Sequence, residues 1–162
     1  MGRRSDGEAT PALAALTRAG ITFTRHAYQH DPRSASYGAE AAQALGVDPE
    51  RVLKTLVVDT GNTLCLAIVA VSRSLDLKAL ARALGVKKVA MAGSSRAQRA
   101  TGHVVGAISP IAQRSRLRTV IDARARDQAT VLVSAGRRGL EIELSPDDLA
   151  TVTGATFDPI GR

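Results

Sequence analysis

Aromatic side chains are nearly absent from this 162-residue chain, which holds two phenylalanines, two tyrosines and no tryptophan. Phe23, Tyr28, Tyr37 and Phe157 are too few to build the stacking platform on which single-strand readers hold successive bases. Cysteine is scarcer still. Cys65 stands alone in the apolar run Leu64 to Val71, so no internal disulfide can form; this fits a reducing compartment, and the residue reads as a small core side chain. No apolar window approaches the length of a membrane span, and the two arginines near the N-terminus have no apolar segment behind them. These features predict a soluble, cytoplasmic protein.

Familiar catalytic signatures are missing as well. The chain has no Gly-x-Ser-x-Gly elbow, no phosphate-binding loop and no dinucleotide fingerprint. His26 and His30 have the spacing of a zinc half-site, but they fall in a strand pattern where that spacing does not serve one face. Only His103 and Cys65 could complete a ligand set. Neither a metal nor a cofactor is expected.

Positive charge is plentiful. Lys and Arg number 22 against 15 Asp and Glu, a net charge of +7, which points to an anionic partner. The basic residues gather at Lys87-Lys88, Arg114/Arg116/Arg118, Arg124/Arg126 and Arg137-Arg138. Such clusters suit electrostatic docking on a folded RNA, and they equally suit an ordinary solvated surface.

The length fits one domain, and no repeat or linker divides it. Residues 1–9 read as a flexible tail and residues 10–160 as the domain. Thr10-Pro11 opens a helix that Gly20 ends; Ile21 to Tyr28 alternates as a strand; an alanine-rich helix runs from about Tyr37 to Leu45. Two apolar strands, about Lys54 to Val58 and Leu64 to Val71, are joined through Gly61-Asn62 as a hairpin. Ser74 or Asp76 caps the next helix, Val89 to Met91 is a short strand, and Ser94-Ser95 caps another helix ending at Thr101-Gly102. Thr119 to Asp122, Thr130 to Ser134 and Leu140 to Leu144 read as strands, the last two joined by the turn Ala135 to Gly139, and Ser145-Pro146 starts a final helix. The fold class is α/β: a single domain with a mixed, mostly antiparallel sheet wrapped by helices.

One charged residue breaks an apolar run. In Arg51-Val-Leu-Lys54-Thr55-Leu-Val-Val58 the ammonium of Lys54 either snorkels to water from the strand's first turn or sits at the mouth of a pocket. Three short segments join polar groups to small residues: Lys54-Thr55, Gly106-Ala107-Ile108-Ser109-Pro110, and Ser134 to Glu141. Their glycines either free backbone N–H groups to hold an oxyanion or simply serve turns and bulges.

Thr10-Pro11-Ala, His26-x-Tyr28-x-His30-Asp31-Pro32, Lys54-Thr55-Leu56, Leu75-Asp-Leu77-Lys78, Thr101-Gly102-x-x-x-Gly106-x-Ile-Ser109-Pro110 and Ser134-x-Gly136-x-Arg138-Gly139-Leu follow in an order and spacing that resembles the YbaK-type Cys-tRNA(Pro) deacylases, from Thr10 to Ile160. The resemblance implies a bacterial trans-editing enzyme, related to the editing domain of prolyl-tRNA synthetases, with a compact barrel-like sheet. Its substrate would be mischarged tRNA, tRNA(Pro) by implication, selected in complex with prolyl-tRNA synthetase. It further implies that Lys54, Gly106 and Ser134 carry catalysis, while Tyr28, Thr55, Ala107, Gly136 and Glu141 bind substrate. Ala107, Ala135 and Glu141 stand where familiar members resemble Gly, Gly and Asp, and each reshapes the pocket by a methyl or methylene.

The same resemblance implies that the substrate's own thiol attacks its ester carbonyl, so the protein needs only to orient the thiol and stabilise an oxyanion. Gly106 and neighbouring amides would hold the carbonyl oxygen, and Ser134 with Glu141 the amino group and ribose. Two other readings fit the residues: an editing deacylase for Ala- or Ser-charged tRNA with Glu141 activating water, and a non-catalytic tRNA- or synthetase-binding module.

Overall fold

The computed structural model describes residues 9–34 and 37–162, so the tail expected over residues 1–9 lies, apart from Ala9, outside the described residues. Helix α1 (Pro11–Ala19) starts as its sequence dictates: the Thr10 hydroxyl accepts from the Leu13 amide at 3.3 Å, Pro11 occupies the first turn, and Gly20 ends the helix in the left-handed region. Strand β1 (Thr24–Ala27) is shorter than the alternation suggests. Next come α2 (Tyr37–Leu45), a 3-10 turn (Pro49–Arg51), β2 (Leu53–Asp59) and β3 (Leu64–Ala70). The β2–β3 hairpin forms as expected, with full antiparallel register from Leu53↔Ala70 to Asp59↔Leu64.

Asp76, not Ser74, caps α3 (Leu77–Leu84) by accepting from the Ala79 amide. After the short β4 (Ala90–Met91) comes α4 (Ser94–Thr101), which departs from expectation. Its N-cap is Gly93, and Ser94 and Ser95 are its first helical residues, so no side chain caps it. Strand β5 (Arg118–Asp122) leads into a 3-10 turn (Ala123–Asp127) that the sequence did not announce. Then follow β6 (Val131–Arg137), β7 (Leu140–Leu144), α5 (Pro146–Thr153) and a further unanticipated strand, β8 (Thr156–Asp158).

The strands form two sheets, ordered β1-β7-β6 and β4-β2-β3-β5-β8. The smaller is antiparallel; the larger is mixed, because β3–β5 and β5–β8 run parallel. Among the described residues a single parallel bridge, Val52↔Leu132, couples the two sheets. Strand β3 is apolar throughout because both of its faces are covered. Cys65, Ala67 and Val69 pack with Leu80, Ala81 and Leu84 of α3, and Cys65 is a buried core thiol as expected. Ile68 and Ala70 face the largest core, shared with Leu13 and Leu16 of α1 and with Val131, Val133, Leu140 and Ile142 of the smaller sheet.

The β6–β7 hairpin is tighter than the sequence implies. Arg137 pairs with Leu140, so only Arg138 and Gly139 turn, while Ala135-Gly136 forms a bulge in β6 after Ser134. Gly139 has φ +85°, and a Cβ there would sit 2.7 Å from the Tyr28 carbonyl oxygen, which β1 holds in place. Gly139→Ala should therefore lower unfolding free energy by about 1–3 kcal/mol, read from urea denaturation. Unchanged stability would mean that the hairpin does not fix β1.

Candidate active site

The feature that makes a site is a break in strand pairing. One edge of β2 is fully paired with β3. Along the other edge, β4 reaches only Val58 and Asp59, and β6 meets the chain only at Val52. The Val57 carbonyl still accepts from the Ala92 amide at 3.0 Å, but among the described residues the edge from Leu53 to Leu56 has no strand neighbour, and a cavity of about 320 Å³ opens there, in the size range of small-ligand sites. Its back wall is the strand from Val52 to Val57. The other walls are Met91 and Ala92 after β4, Ser94 and Ala97 of α4, the loop residues Val105, Gly106 and Ile108, and Ser134 with Glu141 of the small sheet; Gly38 of α2 adds to the lining.

Of the eight residues singled out from the sequence, Lys54, Thr55, Gly106, Ser134 and Glu141 line this one cavity. The other three stand behind it. Tyr28 packs with Ala42, Val52 and Leu132, and burial, then the nearby Glu141 and Glu40 carboxyls, pushes its phenol up to about 12. Ala107 is buried, and its amide donates to the Val104 carbonyl at 3.0 Å, so it cannot also serve an oxyanion. Gly136 sits in the bulge; its amide donates to the Ser134 hydroxyl at 3.1 Å, and a Cβ there would lie 3.2 Å from Nε2 of His103. Ile108 belongs to a segment singled out from the sequence, but Met91, Ala92, Ser94 and Val105 were not foreseen, since a wall assembled from an edge strand, a helix start and a loop leaves no periodic signal.

The loop from Gly102 to Pro110 is held at several points. The Val105 amide donates to the Gln98 side chain at 3.1 Å, the Ser109 amide donates to Nδ1 of His103 at 3.2 Å, and the Arg138 guanidinium donates to the Val105 carbonyl at 3.0 Å. Gly106 and Ile108 differ: within the described residues no hydrogen bond engages their amides, and both residues border the cavity. Gly106 has φ +91°, a conformation that disfavours any side chain. His103 itself does not line the cavity. Its Nδ1 accepts from Ser109, and burial lowers its pKa, which keeps the ring neutral.

Lys54 and Glu141 are the charged residue types of the lining, and they do not pair with each other. Among the described residues no ion pair or hydrogen bond holds Lys54, and partial burial lowers its pKa. Glu141 is 8% exposed, its Oε2 has no hydrogen-bond partner, and burial pushes its carboxyl up to about 8. Thr55 Oγ1 is likewise buried without a partner. Unpaired buried polar atoms cost stability, so the presence of two of them in the lining of one cavity makes it the candidate site for a ligand. His26 and His30 are held by different carboxylates, Glu143 and Glu40, and do not converge.

The folded protein holds the Glu141 proton more tightly than the unfolded chain does. The associated stability is therefore full below the ordinary carboxyl value of 4.5 and is lost as pH rises toward 8. Glu141→Gln keeps the shape of the protonated acid, so in urea denaturation it should match the parent at about pH 5 and exceed it at about pH 9. Parallel pH profiles for the two proteins would show that the carboxyl is solvated and ionised.

Comparison with known proteins identifies the family and the fold. Residues 31–152 match the family model described as the aminoacyl-tRNA editing domain. Over 99% of the chain, and 98% of the relative, it is 31% identical to EbsC of Enterococcus faecalis, named as a candidate Cys-tRNA(Pro)/Cys-tRNA(Cys) deacylase. Its fold is similar to a crystal structure described as a candidate trans-editing enzyme for prolyl-tRNA synthetase, with TM-score 0.82 and 22% identity over 94% of this chain and 95% of that one. A second structure, of the hypothetical protein APE2540, matches with TM-score 0.84 and 25% identity over 94% of this chain and all of the other. The chain belongs to the aminoacyl-tRNA editing domain family and is an aminoacyl-tRNA deacylase.

Proposed function

We propose that the protein is a trans-editing enzyme that hydrolyses Cys-tRNA(Pro), using the thiol of the substrate as the attacking group. The observation that supports this most is the composition of the cavity wall: among the described residues it contains no cysteine and no histidine, while unpaired polar atoms are ready to orient a ligand. Cys65 lies in the core under α3, and the His103 ring stands outside the lining. Among the described residues no imidazole or carboxylate is hydrogen-bonded to the Ser134 side chain, and its hydroxyl accepts from the Gly136 amide.

In this reading the aminoacyl ester enters along the open edge of β2. The unpaired amides of Gly106 and Ile108 take the carbonyl oxygen as it gains charge, in place of the Ala107 amide that the loop consumes. Lys54 supplies a cation beside the reacting ester. Glu141 and Ser134 fix the amino group and ribose, and Thr55 lies beside them. The substrate sulfur forms a bond to the ester carbon, the tRNA hydroxyl leaves with a proton, and water later opens the cyclic thioester. The protein supplies proximity and preorganised dipoles.

Burial that raises the Glu141 carboxyl to about 8 leaves a minor ionised fraction at neutral pH, so attack by water activated there would quicken as pH rises, whereas attack by the substrate's thiol does not require that carboxylate. The net charge of +7 suits docking on tRNA, and residues 10–160 would form the catalytic unit. We place the enzyme in the cytoplasm, acting with prolyl-tRNA synthetase.

Parallel deacylation of Cys-, Ser- and Ala-charged tRNA(Pro) tests this proposal. Cys-tRNA(Pro) should react far faster than the other two, His103→Ala should lose little, and Lys54→Ala or Gly106→Val should lose on the order of a hundredfold. Comparable rates for the three substrates, rising with pH through the ionisation of Glu141, would instead assign the attack to activated water. No turnover of any substrate by the folded protein would favour a binding module.

A further inference from the structure

Large apolar side chains exposed to solvent are few among the described residues: Met91 at 49%, Val104 at 49% and Val105 at 40%. They come from separate stretches of chain, yet Met91 and Val105 border the same cavity mouth and Val104 adjoins Val105. Arg138 reaches the same rim, where its guanidinium donates to the Val105 carbonyl at 3.0 Å, while the charge of Arg96, near the start of α4, is met by its ion pair with Asp59. The lining's own acid, Glu141, is buried inside rather than at the rim.

We propose that Met91, Val104 and Val105 form an aliphatic seat for the terminal nucleobase of the aminoacylated RNA, flanked by Arg138 on the side where the phosphate backbone departs. The proposal rests on the deacylase reading and extends it to the part of the substrate outside the cavity. The ester carbonyl is joined through one oxygen to the terminal ribose, so an aminoacyl group held against β2 leaves its ribose and base at the mouth. Three aliphatic side chains offer a flat face of the base an apolar surface to cover, and the guanidinium favours the adjoining anionic backbone. Because aliphatic contact reads no base edge, this seat holds any terminal base and leaves selection of the tRNA to other contacts.

A double-mutant cycle between protein and RNA tests the seat. One partner is the variant Met91→Ser/Val104→Ser/Val105→Ser, checked for folding by circular dichroism and urea denaturation. The other is a cysteinylated acceptor-stem RNA whose terminal nucleoside either carries its adenine or is abasic. Removing the base should lower kcat/KM of the parent enzyme about tenfold, the triple variant should lose about tenfold on the intact substrate, and combining both changes should cost no more than either alone. Additive losses, or full activity of the folded variant on the intact substrate, would overturn the proposal. An effect of the variant confined to reactions containing prolyl-tRNA synthetase would also overturn it, by assigning the patch to a protein partner.

The same cycle measured as binding of the uncharged RNA requires no hydrolysis and keeps the two readings apart. Coupled losses in binding without turnover would retain the seat and reject the deacylase reading. Turnover with additive losses would do the reverse.

Discussion

The site depends on one interrupted strand edge. Had β4 continued along β2, or had β6 paired beyond its single bridge at Val52, backbone hydrogen bonds would have closed the space that now holds the cavity. Edge strands are liabilities that proteins usually cover, because unpaired N–H and C=O groups invite pairing with other chains. Here the edge is shielded by α4 and by the loop from Gly102 to Pro110, which approach without adding a strand. The shielding loop is itself fastened through His103, Val105 and Ser109, and this leaves the amides of Gly106 and Ile108 as its unengaged donors at the cavity. Fold and chemistry meet at this point: the gap exists because pairing stops, and the loop that covers it keeps two unengaged amides among the residues of the cavity lining.

The electrostatics of the cavity follow from the same gap. Lys54 and Glu141 project from elements on either side of the junction between the two sheets and make no ion pair. Each is desolvated without compensation, which lowers the pKa of one and raises that of the other. Such an arrangement sacrifices stability, and a paired or apolar substitute would fold more tightly. In the proposed function, a ligand carrying an amine and an ester would supply the missing partners. By contrast, Glu143, two residues along β7, satisfies Arg51, Thr130 and His26 together and serves the structure.

Much of this was legible in the residues. Caps at Thr10, Asp76 and Ser145, glycine stops at Gly20 and Gly85, and the β2–β3 hairpin follow from local rules that tertiary packing did not override. Lys54, a cation within an apolar strand, could snorkel to water or face a pocket, and the fold places it in the cavity lining. What could not be read came from long-range geometry. Ser94 resembles a cap in sequence but lies inside α4, because the chain leaving β4 turns at Gly93. Ala107 belongs to the right loop, yet a turn back to Val104 consumes its amide. Gly136 seemed part of a hairpin turn, but the register shift makes it a bulge beside His103. Strand β8 is a short, weakly patterned segment, placed by parallel pairing with β5 that no local signal announces.

The account's central claim is that the open edge of β2 is where the aminoacyl ester binds. A crystal structure with the non-hydrolysable amide analogue of 3′-cysteinyl-adenosine tests it most directly. The account predicts the cysteinyl group between β4 and β6, its carbonyl oxygen on the amides of Gly106 and Ile108, and its amine beside Glu141. An analogue bound outside this gap, with Lys54 and Glu141 still unpartnered, would contradict it.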